Sequence, residues 1–219
     1  MTRPQHADRP AKSSRRTLLL GLSAAIALPL LQGCFPVVAT GVGAGAAMVS
    51  DRRTSGTYVE DEGIEWKVAA RIRERLGDSV HVNVTSYNRN VLLTGEAPNE
   101  TVRGQLDGSV AGVENVRGVI NEVAIAPNSS LTARGNDTLI TSNVKARMID
   151  SGAVSAHNVK VVTEANVVFL LGIVPRSEAD AAAEVARTSQ GVRKVVRVFE
   201  YISDEEARRL DNPTGARRN

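Results

Sequence analysis

The only cysteine of this 219-residue chain stands where its thiol can be chemically modified. Cys34 follows an apolar stretch, with Gly33 directly before it and Leu31 three positions before it. A bacterial lipobox requires a small residue directly before the peptide bond that is cleaved, and an aliphatic residue two positions further back. At such a site the thiol is alkylated with diacylglycerol and, after cleavage, the new amine is acylated. We therefore predict covalent diacylglycerol and an acyl chain on Cys34, and no other cofactor.

Two or three acyl chains hold a protein on a bilayer almost irreversibly, because each buried methylene contributes roughly 0.8 kcal/mol.

The rest of the chain shows no catalytic or metal-binding pattern. Neither His81 nor His157 stands at a metal-ligand spacing from Asp, Glu or another His, so no zinc site is predicted. No nucleophile-elbow motif is present, and Cys34 is used by the anchor. We predict that the chain is not an enzyme and has no small-molecule substrate.

Residues 1–33 have the pattern of a signal peptide, with a basic start and an apolar stretch from Leu18 to Leu31. The stretch is too short for a comfortable transmembrane helix, which needs about 20 apolar residues. The pair Arg15-Arg16, followed by Thr17 and two leucines, is also typical of a twin-arginine signal. Export by the general secretory route and by the twin-arginine route therefore both stay open.

Charge and composition argue against nucleic acid as a partner. The whole chain has a net charge of +3, but residues 1–33 hold five Lys or Arg and one Asp, which leaves about −1 for the mature chain. One Trp, three Tyr and three Phe give no stacking platform. With its one cysteine used for lipidation, the mature chain forms no internal disulfide.

An internal repeat organises the mature chain. An apolar strand that runs into Gly, two residues and Pro occurs at residues 90–98 and again at residues 166–175. Two further pairs of segments follow in the same order: 81–84 with 158–161, and 112–116 with 191–195. Each copy has roughly 65 residues, which is near the lower limit for an independent core. We therefore predict two copies of one small domain that pack against and stabilise each other.

Hydrophobic periodicity predicts helix, strand, strand, helix, strand in each copy. Ile64, Val68, Ile72 and Leu76 recur every four residues, as on the buried stripe of a helix, with Asp61 as its N-cap. Hairpins are predicted around residues 82–94 and 159–171, and Pro98 is expected to open the second helix of the first copy. The last strand of the first copy is predicted at residues 116–125. The fold class is α+β, with a three-stranded mixed sheet packed on two helices in each domain.

Composition places the domain boundaries. We predict a signal peptide at residues 1–33, a lipidated N-terminus and flexible Gly-rich tether at 34–57, domain 1 at 58–126, a polar linker at 127–137, domain 2 at 138–203 and a charged C-terminal tail at 204–219.

The repeat resembles a BON domain, and the mature chain resembles the outer-membrane lipoproteins that carry two BON domains. The residues that carry this resemblance are the lipobox, residues 51–54 with Gly56 and Glu60-Asp61, and residues 83–87, 91–95, 98–99, 136–141 and 159–164. The resemblance implies a non-catalytic protein on the periplasmic face of the outer membrane that binds anionic phospholipid and supports envelope integrity. Phe35, next to Cys34, fits outer-membrane sorting in that family.

In this family, lipid contact is attributed mainly to the first helix of the second domain. Carried over to this chain, the lipid-binding residues are Leu139, Ile140, Thr141, Asn143, Val144, Lys145, Arg147 and Met148. Leu139 stands where relatives can have an aromatic residue, and Leu anchors less well than Trp at a headgroup interface.

The charge distribution agrees with this assignment. Residues 51–137 hold ten Lys or Arg against thirteen Asp or Glu, whereas residues 138–219 hold twelve against ten. The second half is thus the one suited to anionic headgroups, and Arg193, Lys194 and Arg197 add a basic cluster before and within its last strand.

An acidic cluster and a tryptophan in the first domain each allow more than one interpretation. Glu60, Asp61, Glu62 and Glu65 could form a cation site, but we interpret them as acidic residues placed at a helix start by the macrodipole. Trp66 lies off the apolar stripe and is expected to be partly buried. If Trp66 is instead exposed, it favours the alternative function of a periplasmic adaptor that docks on an outer-membrane protein assembly or protease machine.

Overall fold

The computed structural model describes residues 51–152, 154–155 and 157–212. The predicted signal peptide, Cys34, residues 35–50 of the tether and residues 213–219 of the tail lie outside the described residues. In the first domain the elements are α1 (Ser55–Leu76), a short 3-10 helix (Gly77–Ser79), β1 (His81–Tyr87), β2 (Asn90–Ala97), α2 (Glu100–Val110), β3 (Gly118–Asn121) and β4 (Ala124–Ile125).

The second domain repeats this order. Its elements are α3 (Leu131–Ser151), β5 (Val159–Glu164), β6 (Val167–Val174), α4 (Arg176–Arg187) and β7 (Lys194–Tyr201), followed by α5 (Asp204–Asp211). In each sheet the central strand pairs antiparallel with the strand before it and parallel with the strand after the second helix. The predicted α+β fold and its helix-strand-strand-helix-strand order are confirmed.

The third strand of the first domain differs from the prediction because it is divided. β3 and β4 both pair with β2, and Val123 between them is buried in the core at 2% exposure. The Val123 N–H donates to the Asn121 side chain at 3.2 Å instead of to β2. The predicted single strand is therefore interrupted where one side chain turns inward.

Each domain has an apolar core between its helices and its sheet. In the first domain, Ile64, Val68 and Ile72 of α1 pack against Val91 and Leu93 of β2 and against α2. The equivalent core of the second domain contains Ile140, Val144 and Met148 of α3, strands β5 and β6, and the alanines of α4. The predicted stripes on both first helices are thus buried as expected.

Asp61 is not the N-cap of α1. The cap is Thr54, whose hydroxyl accepts a hydrogen bond from the Thr57 N–H at 3.1 Å, so the helix starts earlier than its apolar stripe. Asp61 lies two turns inside the helix, buried at 2% exposure, and accepts hydrogen bonds from the N–H groups of Asn88 and Arg89 at 2.8 and 2.7 Å.

The macrodipole interpretation of the neighbouring acidic residues is wrong for the same reason, since they lie beyond the first helical turn. Glu65 accepts the Ser86 N–H and the Lys160 ammonium, both at 2.8 Å. Glu60 accepts from the Asn115 side chain at 3.0 Å. These acidic residues connect α1 to the rest of the fold.

The two domains share a third apolar cluster. Tyr87 and Leu92 of the first sheet lie together with Phe169, Leu171 and Ile173 of the second. These side chains project from the sheet faces opposite to those that meet the helices, because alternate residues of a strand point to opposite faces. The predicted mutual dependence of the two copies therefore has a physical basis in a shared core.

Three predicted boundaries are corrected by the structure. α3 begins at Leu131, capped by the Ser130 hydroxyl, so the segment 131–137 is helix and not linker. α5 occupies residues 204–211 of the predicted tail. Arg52, in the predicted tether, has a side chain only 1% exposed that binds Glu178 and Asp211. Composition marks these segments as polar, but Arg52, Arg134 and Asp137 form hydrogen bonds within the fold.

Candidate functional site

Helix α3 has one buried face and one apolar exposed face. Ile140, Val144 and Met148 point into the core. On the opposite side, Leu131, Leu139 and Ile149 are 83%, 70% and 68% exposed. At 100° per residue, these three side chains fall within one sector of the helix of less than 90°. We call Leu131, Leu139 and Ile149 the α3 apolar stripe.

An exposed apolar stripe on one helix requires an explanation, whereas isolated exposed apolar residues do not. Three of the eight large apolar side chains that are exposed in the described residues lie on α3. Thr138, Ser142 and Lys145, all exposed, lie beside the stripe. The face therefore combines aliphatic side chains with hydroxyl groups and an ammonium group.

The structure divides the predicted lipid-binding residues. Ile140, Val144 and Met148 are at most 4% exposed and belong to the core, so their assignment to a contact surface is corrected. The periodicity that made them conspicuous in the sequence is that of the buried face.

Two further members of the predicted set have structural partners. The Arg147 guanidinium donates to the Val185 carbonyl at 3.1 Å and to the Ser189 hydroxyl at 2.7 Å, which ties α3 to the end of α4. The Thr141 hydroxyl donates to Thr163 at 2.7 Å. Both side chains are half-buried, as is Asn143.

Leu139 and Lys145 remain as exposed members of the predicted set. The Lys145 ammonium has no hydrogen-bond or ion-pair partner within the ranges 51–152, 154–155 and 157–212. It lines a cavity of about 530 Å³ between α3 and β5, together with Arg134, Ser142 and residues of the first domain's β1. A free cation beside an aliphatic stripe is suited to an anionic headgroup at a membrane surface.

Sequence reasoning missed Leu131 and Ile149. Leu131 lies in the segment interpreted as linker, and Ile149 falls just past the set carried over by resemblance. The available signal was helical spacing, because residues 131, 139 and 149 share a face once α3 is extended to Leu131.

The second basic cluster is partly neutralised. Arg193, Lys194 and Arg197 are exposed, and Arg197 donates to the Asp180 carboxylate at 2.5 Å. Arg193 and Lys194 are left to add positive charge to the second domain.

Trp66 is exposed, so the expectation of partial burial is wrong. Its side chain is 76% accessible, and Val59, one heptad earlier on α1, is 63% accessible. The two residues form a second exposed apolar area, which lies on the first domain.

Three potential metal ligands meet where the two domains adjoin. The Nδ1 atom of His81 lies 2.9 Å from Oε2 of Glu96. Glu164 of the second domain completes a group whose ligand atoms all lie within 4.8 Å of one another. Burial raises the pKa of the Glu164 carboxyl, and the nearby Glu96 and Asp137 carboxylates raise it further.

No helix among the described residues has the length and apolar content needed to cross a bilayer.

Comparison with known proteins gives consistent matches. The BON domain family model matches residues 61–127 and 136–203. The chain is 40% identical to the outer membrane lipoprotein DolP of Haemophilus influenzae over 78% of this chain and 90% of that protein. It is 37% identical to a 21 kDa hemolysin of Actinobacillus pleuropneumoniae, over 69% of this chain and 79% of that one. It is 27% identical to osmotically-inducible protein Y of Escherichia coli, over 84% and 94% of the two chains.

Proposed function

The chain belongs to the BON domain family and, within it, to the outer-membrane lipoproteins with two such domains; on this premise we propose that it binds anionic phospholipid through α3 without catalysing a reaction. Its predicted family and its localisation at the outer membrane are confirmed by the matches. We further propose that the protein is anchored on the periplasmic face through lipidated Cys34 and helps to maintain envelope integrity.

One observation carries the proposal of lipid binding. Leu131, Leu139 and Ile149 form an exposed stripe on α3, and beside it lies the Lys145 ammonium, which has no ion-pair partner among the residues that the structure describes. A helix that lies in a membrane interface presents this combination, with aliphatic side chains inserted and cationic groups at the headgroups. A protein already held at the membrane by acyl chains needs only a weak second contact to keep α3 at the surface.

The stripe also explains why an aliphatic residue suffices at position 139. A single Leu is a weaker interfacial anchor than Trp, but three large aliphatic side chains on one face add their buried areas. We expect each of the three to contribute to vesicle affinity, with Lys145 providing the preference for anionic lipid.

Vesicle flotation tests this proposal. The mature chain from residue 34, with Cys34→Ser to remove the acylation site, is mixed with vesicles of phosphatidylglycerol or of phosphatidylcholine at moderate salt. We expect it to float with phosphatidylglycerol only. Leu139→Glu and Lys145→Glu should each abolish flotation, because the first places a charge in the interface and the second reverses the attraction.

Val59→Glu is the matched control. It makes the same type of change at an exposed apolar residue of the first domain's α1, and it should leave flotation intact. Failure of the parent chain to float on phosphatidylglycerol, or equal losses in Val59→Glu and Leu139→Glu, would contradict the assignment to α3.

The integrity role has its own test in cells. A strain without this protein should become sensitive to a large antibiotic that an intact outer membrane excludes, and the wild-type gene should restore resistance. The Leu139→Glu variant, at equal abundance, should fail to restore resistance. Full complementation by Leu139→Glu would separate the integrity role from lipid binding.

The exposure of Trp66 favours the second candidate, an adaptor for an outer-membrane assembly or protease machine. Trp is enriched at the centres of protein interfaces, and Val59 beside it extends the apolar area. A photo-crosslinking residue at position 66 should then capture a component of such a machine in cells, whereas the same residue at position 139 should crosslink to lipid. Absence of any protein adduct at position 66 would remove the support for this candidate.

A further inference from the structure

We propose that His81, Glu96 and Glu164 bind a divalent transition-metal ion at the boundary between the two domains. The inference goes beyond lipid binding and uses residues outside the α3 apolar stripe. His81 and Glu96 come from β1 and β2 of the first domain, and Glu164 comes from β5 of the second. No zinc site was predicted from the sequence, because the three ligands lie on three different strands and do not follow a metal-ligand spacing along the chain.

The geometry is close to that of a metal site. His81 Nδ1 and Glu96 Oε2 are 2.9 Å apart, which suits neighbouring ligands of one ion. All the ligand atoms lie within 4.8 Å of one another, whereas tetrahedral ligands bound at about 2.1 Å from an ion are about 3.4 Å apart. Rotation of the two glutamate side chains, which closes the longest separation by about 1.4 Å, completes the site.

The two buried carboxylates at this site favour the binding of a cation. Glu96 and Glu164 are only 4% and 7% exposed. Within the described part of the chain, neither forms an ion pair with Lys or Arg: the basic group that contacts Glu96 is the imidazole of His81, and Arg134 and Lys145 line the cavity beside α3 without pairing with either carboxylate. Buried carboxylates are normally paired or coordinate metals. A divalent ion bound between the two carboxylates would offset their negative charge at close range.

An unsatisfied hydroxyl points independently to a missing ligand. Thr94 is 1% exposed, and its Oγ1 atom has no hydrogen-bond partner in the described structure. Thr94 lies on the same sheet face as Glu96, two residues away, and directly across from Asn83. The Asn83 amide donates to Glu164 Oε2 at 2.6 Å. A water molecule bound to the ion would supply the partner that the buried Thr94 hydroxyl lacks.

The duplicated fold does not by itself require these residues. In the matching hairpin registers, Val82 pairs with Gly95 and Val159 pairs with Gly172. The second domain therefore has Asn158 where the first has His81, and Ile173 where the first has Glu96. Since that domain forms the same sheet without either ligand, the group serves something other than the BON fold.

The ligand types and the access route indicate the ion. Imidazole with carboxylates suits Zn²⁺ and related transition metals, whereas Ca²⁺ and Mg²⁺ prefer ligand sets made only of oxygen. His81 and Glu164 line the cavity of about 530 Å³ beside α3, which gives the ion a path from solvent. Because its ligands come from both domains, the bound ion would stabilise the contact between the two domains.

Zinc titration by calorimetry tests the site, using the mature chain with Cys34→Ser. We expect one Zn²⁺ per chain and a higher unfolding temperature with Zn²⁺ than with a chelator. His81→Asn installs the residue that the second domain has at this position, and Glu164→Gln removes a carboxylate while it keeps an acceptor for Asn83. Each should weaken Zn²⁺ binding by more than the roughly 10- to 100-fold typical of losing an outer-shell contact.

His157→Asn is the matched control, because His157 is the other histidine of the mature chain and is exposed. This variant should bind Zn²⁺ like the parent. Circular dichroism checks that each variant is folded, and Glu96→Gln replaces any that is not. Absence of Zn²⁺ binding by the parent, binding that survives in both site variants, or an equal loss in His157→Asn would overturn the proposal.

Discussion

Asp61 and Asp137 perform the same task in the two domains, since each carboxylate accepts hydrogen bonds from two successive backbone N–H groups in its own hairpin turn. Asp61 binds those of Asn88 and Arg89, and Asp137 binds those of Ala165 and Asn166, both at 2.9 Å. All four turn residues have φ between +49° and +65°, as a type I′ turn requires. In each domain the first helix thus fixes the turn that sets the register of the sheet.

The two aspartates differ in their surroundings, and this difference predicts unequal effects of mutation. Asp61 also pairs with Arg53 at 2.8 Å, whereas Asp137 has no Lys or Arg partner among the described residues. Asp61→Asn should lower the free energy of unfolding by about 3 kcal/mol, because an amide NH₂ in place of one carboxylate oxygen loses an acceptor for the Arg53 guanidinium and for a backbone N–H of the turn. Asp137→Asn should cost about 1–2 kcal/mol. Urea unfolding measures both, and a larger loss in Asp137→Asn would contradict this account.

The glycines of the repeated motif are predicted to be irreplaceable for a steric reason. A Cβ atom on Gly95 would overlap the His81 carbonyl oxygen, and Gly95 also has φ of +118°. A Cβ on Gly172 would lie 2.5 Å from the Asn158 carbonyl oxygen. Gly95→Ala should therefore destabilise the protein more than Gly172→Ala, and each by more than about 2 kcal/mol.

Gly104→Ala is the control for that pair. Gly104 lies in α2 with nothing within 4 Å of an added Cβ, so alanine should raise stability by about 1 kcal/mol through helix propensity. Thermal or urea unfolding of the three variants checks the order, and a tolerated Gly95→Ala would refute the steric explanation.

Arg52 is predicted to hold α5 on the second domain. Its guanidinium contacts both carboxylate oxygens of Glu178 at 2.8 Å and both of Asp211 at 2.9 Å. Arg52→Lys keeps the charge but loses the planar fork, so amide hydrogens of α5 should exchange at least about tenfold faster. Arg187→Lys, at an exposed bidentate pair with Glu184, should leave α5 unchanged. Equal exchange in α5 for the parent and Arg52→Lys would contradict this role.

Tyr87 is predicted to make stability fall at alkaline pH. Its ring lies 4.1 Å from the Arg53 guanidinium, and burial, aided by Asp51, raises the pKa of the Tyr87 phenol well above its ordinary value. Above about pH 10 the phenol ionises in the unfolded chain but stays protonated in the folded one, which favours unfolding by up to about 1.4 kcal/mol per pH unit.

The comparison with Tyr87→Phe isolates this contribution. The variant keeps the aromatic ring and removes the ionisable group, so its stability relative to the parent should rise as the pH increases above about 10. Denaturant unfolding at pH 8, 9.5 and 11 measures the difference. A difference that does not change with pH would show that Tyr87 ionises equally in both states.

The spacing of apolar residues and the internal repeat made the fold predictable from the sequence. The stripe of Ile64, Val68 and Ile72, and the paired motifs around Gly95 and Gly172, each follow from a local rule that the structure obeys. The helix starts were not predictable in the same way, because α1 and α3 each extend two turns before the first buried residue of the stripe. Those turns lack the buried stripe, their large apolar side chains Val59, Leu131 and Leu139 are exposed, and the caps Thr54 and Ser130 mark where the helices begin.

The candidate site was only partly predictable, because burial was needed to separate its two faces. Ile140 and Leu139 are adjacent aliphatic residues in the sequence, yet one is 4% and the other 70% exposed. Contacts between distant segments were beyond sequence reasoning. Nothing in the spacing of His81 and Glu164 shows that two strands from different domains bring them together.

The measurement that tests lipid binding most directly is an amide NMR titration of the mature Cys34→Ser chain with phosphatidylglycerol micelles. We predict that chemical shift changes concentrate on the exposed face of α3, around Leu131, Leu139, Lys145 and Ile149, and that phosphatidylcholine micelles produce none there. No shift changes with phosphatidylglycerol, or changes confined to α1 around Val59 and Trp66, would contradict the central claim.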